Sequence, residues 1–463
     1  MNSSVRILSV TAILLAACGP SAGGGDDDDD GRSDGGPGGD GRPPATGSLT
    51  GTVWAPGNAI GAVPAGYEIP VAGAMVYLAD DGPPPAIPDE VYCDRCQFHP
   101  AIYVATDAKG RFELTGVTPG SHRLVIEKAQ FRLETTVEVP ADRGVALAAA
   151  QTTLPSRHDP ASGQWIPRVA IAIGDSDAVE DIFGKMGILE VGSDGRVLEA
   201  SFAGTDRVDL WGNPIDPPFP AVHKGRITDL FGDLTKMKRY HIIFVPCNYE
   251  SDVTPLTQPR IRQNIQDYVA AGGKLYVTDW SAEWADAAFP EFLGFDPLQD
   301  TTAAMVSSGV INPGDGDFGH FALHAKATDA TLAAWLDGQK APLVVPIGGE
   351  EEDFPSRYEE GVIDGDDFII EGSWSLIRST PEVRVGTDPA GMPIMAAAKT
   401  WISGDYNGSY YPHTVTFEPS CGRVLYSTYH TAQKPHAWLV PQERVLLHLI
   451  MEIGVCNSGP IVD

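Results

Sequence analysis

The sequence predicts a multidomain chain in which a small all-β sandwich precedes an α/β open sheet. Three observations carry that expectation. The chain has 463 residues, 43% of them apolar and 20% charged, enough for two or three globular cores. Short runs of strand-forming residues alternate with turn signals from about residue 47 to 155. Between Tyr240 and Trp284 the pattern changes to strand, helix, strand. In that stretch Ile242 to Val245 is an apolar run too short for a helix. Ile261, Ile265, Tyr268 and Val269 then fall at i, i+4, i+7 and i+8, one face of an amphipathic helix. Gly272-Gly273 ends the helix, and Leu275 to Thr278 is a second buried strand. Such a unit pairs its strands in parallel with a right-handed crossover, and ligands bind beyond the C-terminal strand ends. Cys247 and the group Asp279, Trp280 and Ser281 stand at those ends, which makes them, with His430, the expected ligand crevice.

The N-terminus sets the expected compartment. Arg6 and the apolar run Ile7 to Ala17 form a cleavable signal too short to span a bilayer. Leu15-Ala16-Ala17-Cys18 resembles the bacterial lipobox, which implies a lipoprotein with signal peptide 1–17 and lipid on Cys18. Gly19 lacks the aspartate that retains many lipoproteins in the inner membrane. The resemblance therefore implies lipid anchoring in the bacterial cell envelope, at the outer membrane, on its periplasmic face or at the cell surface. Residues 18–46 have no aliphatic side chain larger than alanine beyond the signal and read as a disordered acidic Gly/Asp tether, with Asp26 to Asp30 a self-repelling spacer. A net charge of −30 argues against nucleic acid as a partner. The expected partners are the membrane, through the lipid, and a glycan, small-molecule or protein ligand.

Within 47–155, Ser48 to Trp54 and Val71 to Leu78 read as strands. Ile102 to Thr106 and Arg111 to Leu114 read as a hairpin around Asp107-Ala108-Lys109-Gly110. Arg123 to Glu127 and Glu134 to Val139 complete the sandwich. The residues GTV, PVAGAMVYL and TDAKGRFELTGVTPGSHRLVI resemble the carboxypeptidase regulatory-like domain. That resemblance implies a transthyretin-like sandwich of the carbohydrate-binding-like fold class, without supplying a sugar site.

The second domain is expected over 165–457. Arg168 to Ile173 is a strand, followed by a helix with Val179, Ile182, Phe183 and Met186 on one face and Asp177 and Glu180 as a capping pair. A helix at Ala327 to Leu336 follows. Apolar runs come at Leu343 to Ile347, Phe368 to Ile370, Ile394 to Ala398, Thr414 to Phe417 and Val424 to Ser427, and a final helix carries Val445, Leu446, Leu449, Ile450 and Ile453. RVAIAIGDSDAVEDIFGKMGI, YHIIFVPC, AAGGKLYVTDW and GRVLYSTYHTA together resemble the class I glutamine amidotransferase-like fold, with flavodoxin-like layers. In active members a cysteine stands on a glycine-flanked elbow after a strand, and a late His-x-Glu supplies the base and its orienting carboxylate. Here the elbow falls on Asp279-Trp280-Ser281 without a thiol, and His430 is followed by Thr431 and Ala432. The resemblance thus implies a catalytically degenerate domain with a binding or scaffolding role. A hydrolase using Cys247 (or Ser281) with His430 is the alternative.

Six cysteines are present. Outside the cytoplasm they tend to pair, and Cys93 with Cys96 and Cys421 with Cys456 would leave Cys247 free, although spacing does not establish connectivity. Asp315, Asp317, His320 and His324 have metal-friendly spacing, but the EF-hand pattern is incomplete and HExxH is absent, so a loop leading into an edge strand is the plainer account. No cofactor is expected.

Overall fold

The computed structural model describes residues 46–57, 68–94, 102–141, 143–174, 176–212, 218–248, 253–312, 323–339, 357–358, 367–388, 390–431, 435–436 and 439–453. The expectations for Cys18, the 18–46 tether, Cys96, Cys456, Asp315, Asp317, His320 and the run Leu343 to Ile347 lie outside the described residues. From Ala45 onward the chain is one compact unit. No described helix is long and apolar enough to cross a membrane.

The first strands are β1 (Gly47–Thr52), β2 (Met75–Leu78), β3 (Tyr103–Ala105), β4 (Arg111–Val117), β5 (Gly120–Lys128), β6 (Phe131–Val139), β7 (Gly144–Ala146) and β8 (Gln164–Trp165). They form two sheets, ordered β4-β1-β7 and β3-β2-β5-β6-β8. The expected hairpin of β3 with β4 does not form. The turn at Asp107 is tight, with Gly110 N–H donating to Asp107 O at 2.8 Å, yet β3 pairs with β2 and β4 pairs with β1. The turn therefore carries the chain from one sheet to the other. This satisfies burial, because Phe112 and Leu114 of β4 and Val76 of β2 then join one core.

The larger sheet is built from β9 (Val169–Ile173), β10 (Val208–Gly212), β11 (His223–Arg226), β12 (Ile242–Val245), β13 (Lys274–Thr278), then, after the short β14 (Gly294–Phe295), from β15 (Leu323–Ala327), β16 (Arg357–Tyr358) and β17 (Asp367–Ile370). The strands β18 (Ile377–Ser379), β19 (Val383–Thr387) and β20 (Pro393–Ala396) make small two-stranded ribbons. Then β21 (Lys399–Tyr406), β22 (Ser409–Phe417) and β23 (Arg423–Ser427) complete the large sheet. Its order is β11-β10-β9-β12-β13-β23-β22-β21-β15-β17-β16. Pairing is parallel from β11 to β23 and antiparallel from β23 to β16. Because side chains alternate across a strand, the parallel half feeds two cores. Ile171, Phe244, Tyr276 and Leu425 face the core that holds the final helix, Pro441–Ile453, and the first two sheets. Ala170, Ile243, Leu275 and Val424 face the core under the helix Pro259–Ala270. That helix buries Ile261, Ile265, Tyr268 and Val269, as its spacing requires.

Several contacts tie the first two sheets to the large one. Trp335 Nε1 donates to Pro70 O at 2.7 Å, and Lys128 Nζ donates to Glu452 Oε2 at 2.5 Å. The disulfide pairing corrects both sequence expectations: Cys93 is bonded to Cys421, with Cα atoms 5.6 Å apart, so Cys93 does not pair with Cys96 and Cys421 does not pair with Cys456. The cause is packing. Gly272, with φ of +102°, ends the helix, and a Cβ there would stand 2.0 Å from Tyr92 O. Glycine therefore admits the 91–94 segment against this turn, which brings Cys93 beside Cys421. His324 lies on β15, an interior strand between β21 and β17, not on an edge.

Candidate functional site

The central strands β12, β13 and β23 are neighbours in the parallel half, so their C-terminal ends lie side by side. Cys247 follows β12 by two residues, Asp279 follows β13 directly, and His430 lies three residues past β23. Distant in sequence, the three offer ligand atoms that all lie within 4.8 Å of one another. Cys247 Sγ is 3.7 Å from Asp279 Oδ2, and His430 Nε2 is 3.9 Å from the same oxygen.

Each group is held from behind. Asp279, directly after β13, has φ of +43°, a left-handed conformation that aspartate tolerates better than most side chains. Its Oδ1 accepts from Trp374 N–H at 3.0 Å, Ser375 also hydrogen-bonds the carboxyl, and Oδ2 faces the thiol and the imidazole. Tyr426 Oη donates to Asp279 O at 2.9 Å. His430 Nδ1 donates to Thr431 O at 2.8 Å, so a neutral ring carries its lone pair on Nε2, toward Asp279. Gly372, with φ of +68°, allows its segment to close over the ring, since a Cβ there would stand 2.7 Å from His430 Cε1. Cys247 N–H donates to Thr278 Oγ1 at 2.7 Å, and that hydroxyl donates to Asp177 Oδ2 at 2.6 Å. Asp177 also accepts from Thr431 N–H at 3.0 Å. It is therefore not the expected helix cap: these hydroxyl and amide donors occupy both its oxygens, and Ala178 stands at the N-cap without a side-chain bond.

The cluster is sealed. Cys247 is 2% exposed, Asp279 is fully buried and His430 is 5% exposed. Burial, then Asp279 and Asp177, pushes the Cys247 thiol up, and burial likewise pushes the Asp279 carboxyl up. Ser281 is fully buried and its hydroxyl donates to Pro246 O at 2.8 Å. Trp284 is core, its ring 4.6 Å from that of Phe231, whereas Trp280 is half-buried and meets Trp374 at 5.7 Å.

Beside the cluster is a cavity of about 280 Å³ at the end of β9, lined by Gly174, Ser176, Asp177, Glu180, Arg196 and Pro218. Glu180 is 3% exposed, and its Oε2 has no hydrogen-bond partner among the described residues. Burial, then Asp181 and Asp177, pushes its carboxyl well up. Arg196 donates to Asp181 Oδ2 at 2.9 Å. The sequence pointed to strand ends and so to Cys247, Asp279 and His430. It assigned Asp177 and Glu180 to a helix cap, although the same strand-end rule applies to them after β9. Trp374, which arrives from a loop 95 positions after Asp279, carried no sequence signal.

No family model matches the chain, and no curated protein does. Solved structures give distant likenesses. A ThuA-like protein from Bacteroides uniformis is 11% identical with a TM-score of 0.32, covering 61% of this chain and 89% of that one. A cytoplasmic protein of Salmonella typhimurium is 11% identical with a TM-score of 0.28, covering 62% and 99%. The minor pilin GBS52 of Streptococcus agalactiae is 17% identical with a TM-score of 0.16, covering 24% of this chain. This chain spans 44% of the pilin's length. At these scores the likenesses decide neither fold nor function, and the α/β assignment stands on the sheet order itself.

Proposed function

We propose that the chain is an envelope lipoprotein that binds a small polar or glycan ligand and does not turn one over. In this reading, a transthyretin-like sandwich and a degenerate class I glutamine amidotransferase-like domain are displayed on a tether. The observation that supports it most is the contrast at the strand ends. Cys247, Asp279, Ser281 and His430 are sealed from solvent, while the neighbouring cavity is open and polar. A nucleophile must reach a substrate atom, and neither the thiol nor the Ser281 hydroxyl is placed to do so. The cavity presents the Ser176 hydroxyl and the Arg196 guanidinium, the latter 33% exposed, while the Glu180 carboxyl, 3% exposed, stands in its wall as an acceptor that a ligand would reach only from inside the cavity.

The test is a melting-temperature screen against mono- and oligosaccharides, with alkylation of Cys247 followed in parallel. The expected result is a ligand-dependent rise in Tm that Glu180→Gln and Arg196→Ala both remove, and a native Cys247 that resists iodoacetamide until the protein unfolds. A native thiol that alkylates quickly would overturn this reading. An esterase or amidase activity lost in both Cys247→Ala and His430→Ala would do the same and install the hydrolase in its place.

A further inference from the structure

We propose that Cys247 Sγ, Asp279 Oδ2 and His430 Nε2 form a site for a zinc-class divalent cation that ties together the C-terminal ends of β12, β13 and β23. The reading above does not support this site, and the two stand or fall separately.

Geometry carries the inference. Tetrahedral zinc with ordinary bonds to sulfur, nitrogen and oxygen implies ligand-to-ligand edges of about 3.3–3.6 Å. The observed edges are 3.7 Å and 3.9 Å, with all three donor atoms within 4.8 Å. A shift of a few tenths of an ångström closes the two edges to Asp279 Oδ2, and the third, between Cys247 Sγ and His430 Nε2, closes from at most 4.8 Å by a movement of about one ångström. The ligand set, one thiolate, one imidazole and one carboxylate, suits zinc or cobalt and suits calcium or magnesium poorly.

The surroundings match what a metal ligand needs from its supporting groups. A ligating histidine normally gives its other ring N–H to a carbonyl or carboxylate, and His430 Nδ1 gives its hydrogen to Thr431 O. A ligating carboxylate is normally hydrogen-bonded on its second oxygen, and Asp279 Oδ1 accepts from Trp374 N–H. The Cys247 backbone is anchored through Thr278 Oγ1 to Asp177, a further buried carboxylate that adds favourable charge for a cation. Binding releases the thiol proton, and the proton of the Asp279 carboxyl where it carries one, to solvent, leaving the sulfur as thiolate and Asp279 as carboxylate. The three ligands follow three adjacent strands, so the ion would cross-link the sheet at their C-terminal ends. Because the cluster is sealed, the ion enters as the chain folds.

The test uses the full chain with its disulfide intact, unfolded, stripped of metal with a chelator and refolded with or without Co²⁺. One equivalent of cobalt should be retained after desalting, with the thiolate-to-cobalt charge-transfer band and the visible bands of a tetrahedral ion. Zinc should displace it, and the zinc form should melt above the metal-free form. Cys247→Ser should lose the charge-transfer band, and His430→Gln should lower retention at least tenfold while the circular dichroism spectrum stays native. Wild-type protein that refolds and retains no cobalt overturns the proposal without any variant. Retention without the charge-transfer band, or unchanged in Cys247→Ser, places the ion on other acidic groups and overturns it equally.

Discussion

Replacing Cys93 and Cys421 together by serine removes the bond that joins the 91–94 segment to the turn before β23. The two residues are 328 positions apart. The chain-entropy relation for a loop of that length gives about 19 cal/mol/K, or roughly 6 kcal/mol at 25 °C, from freeing the unfolded chain. Measured disulfides seldom exceed about 5 kcal/mol, because unfolded chains retain structure, so a loss of about 4 kcal/mol is expected. With a urea dependence of about 3 kcal/mol/M or more, the midpoint should fall by roughly 1 M. The assay is equilibrium unfolding in urea, followed by tryptophan fluorescence and circular dichroism together, since a chain of this size need not unfold in one step. A non-reducing peptide map gives the pairing directly. An unchanged midpoint, or a map that joins Cys93 to Cys96, would refute both the entropy argument and the packing account around Gly272.

Two further outcomes follow from other parts of the fold. Burial pushes the Glu443 carboxyl up, but His436 and Lys185 beside it pull it down from 4.5 to about 2. A depressed carboxylate stabilises the fold above its unfolded pKa, and that stability drains away as pH falls from about 4.5 toward 2. The difference corresponds to about 3 kcal/mol, so Glu443→Gln should flatten the acid limb of a stability–pH profile and cost at least that much at pH 7; an acid limb identical to wild type would sink the assignment. Gly272→Ala places a Cβ 2.0 Å from Tyr92 O at a φ of +102° and should destabilise by about 2 kcal/mol or more, read as a fall in Tm. A neutral effect would mean that the 91–94 segment does not press on this turn.

Local pattern was enough to place much of the α/β sheet. The helix Pro259–Ala270 and the strands β12 and β13 lie where apolar spacing and Gly272-Gly273 require, because a buried helix face and a buried strand each impose their own period on the sequence. Strand-end logic then reached Cys247, Asp279 and His430, since a parallel sheet gathers its C-terminal ends whatever the chain distance between them. Pairing partners are a different kind of fact. The turn at Asp107 looks the same locally whether it closes a hairpin or carries the chain between sheets, and only the burial of Phe112 and Leu114 decided that β4 joins β1. Cys93 has a near neighbour in sequence at Cys96, yet the space left by Gly272 brings it to Cys421, 328 positions away. Asp177 carried a capping signature, but hydroxyl and amide donors from β13 and the segment after β23 claimed its oxygens. The order of residues therefore determined which segments are helices and strands and which residues stand at strand ends. Tertiary structure alone decided which of those residues meet, because long-range contacts are selected by the burial and hydrogen bonding of the whole chain at once.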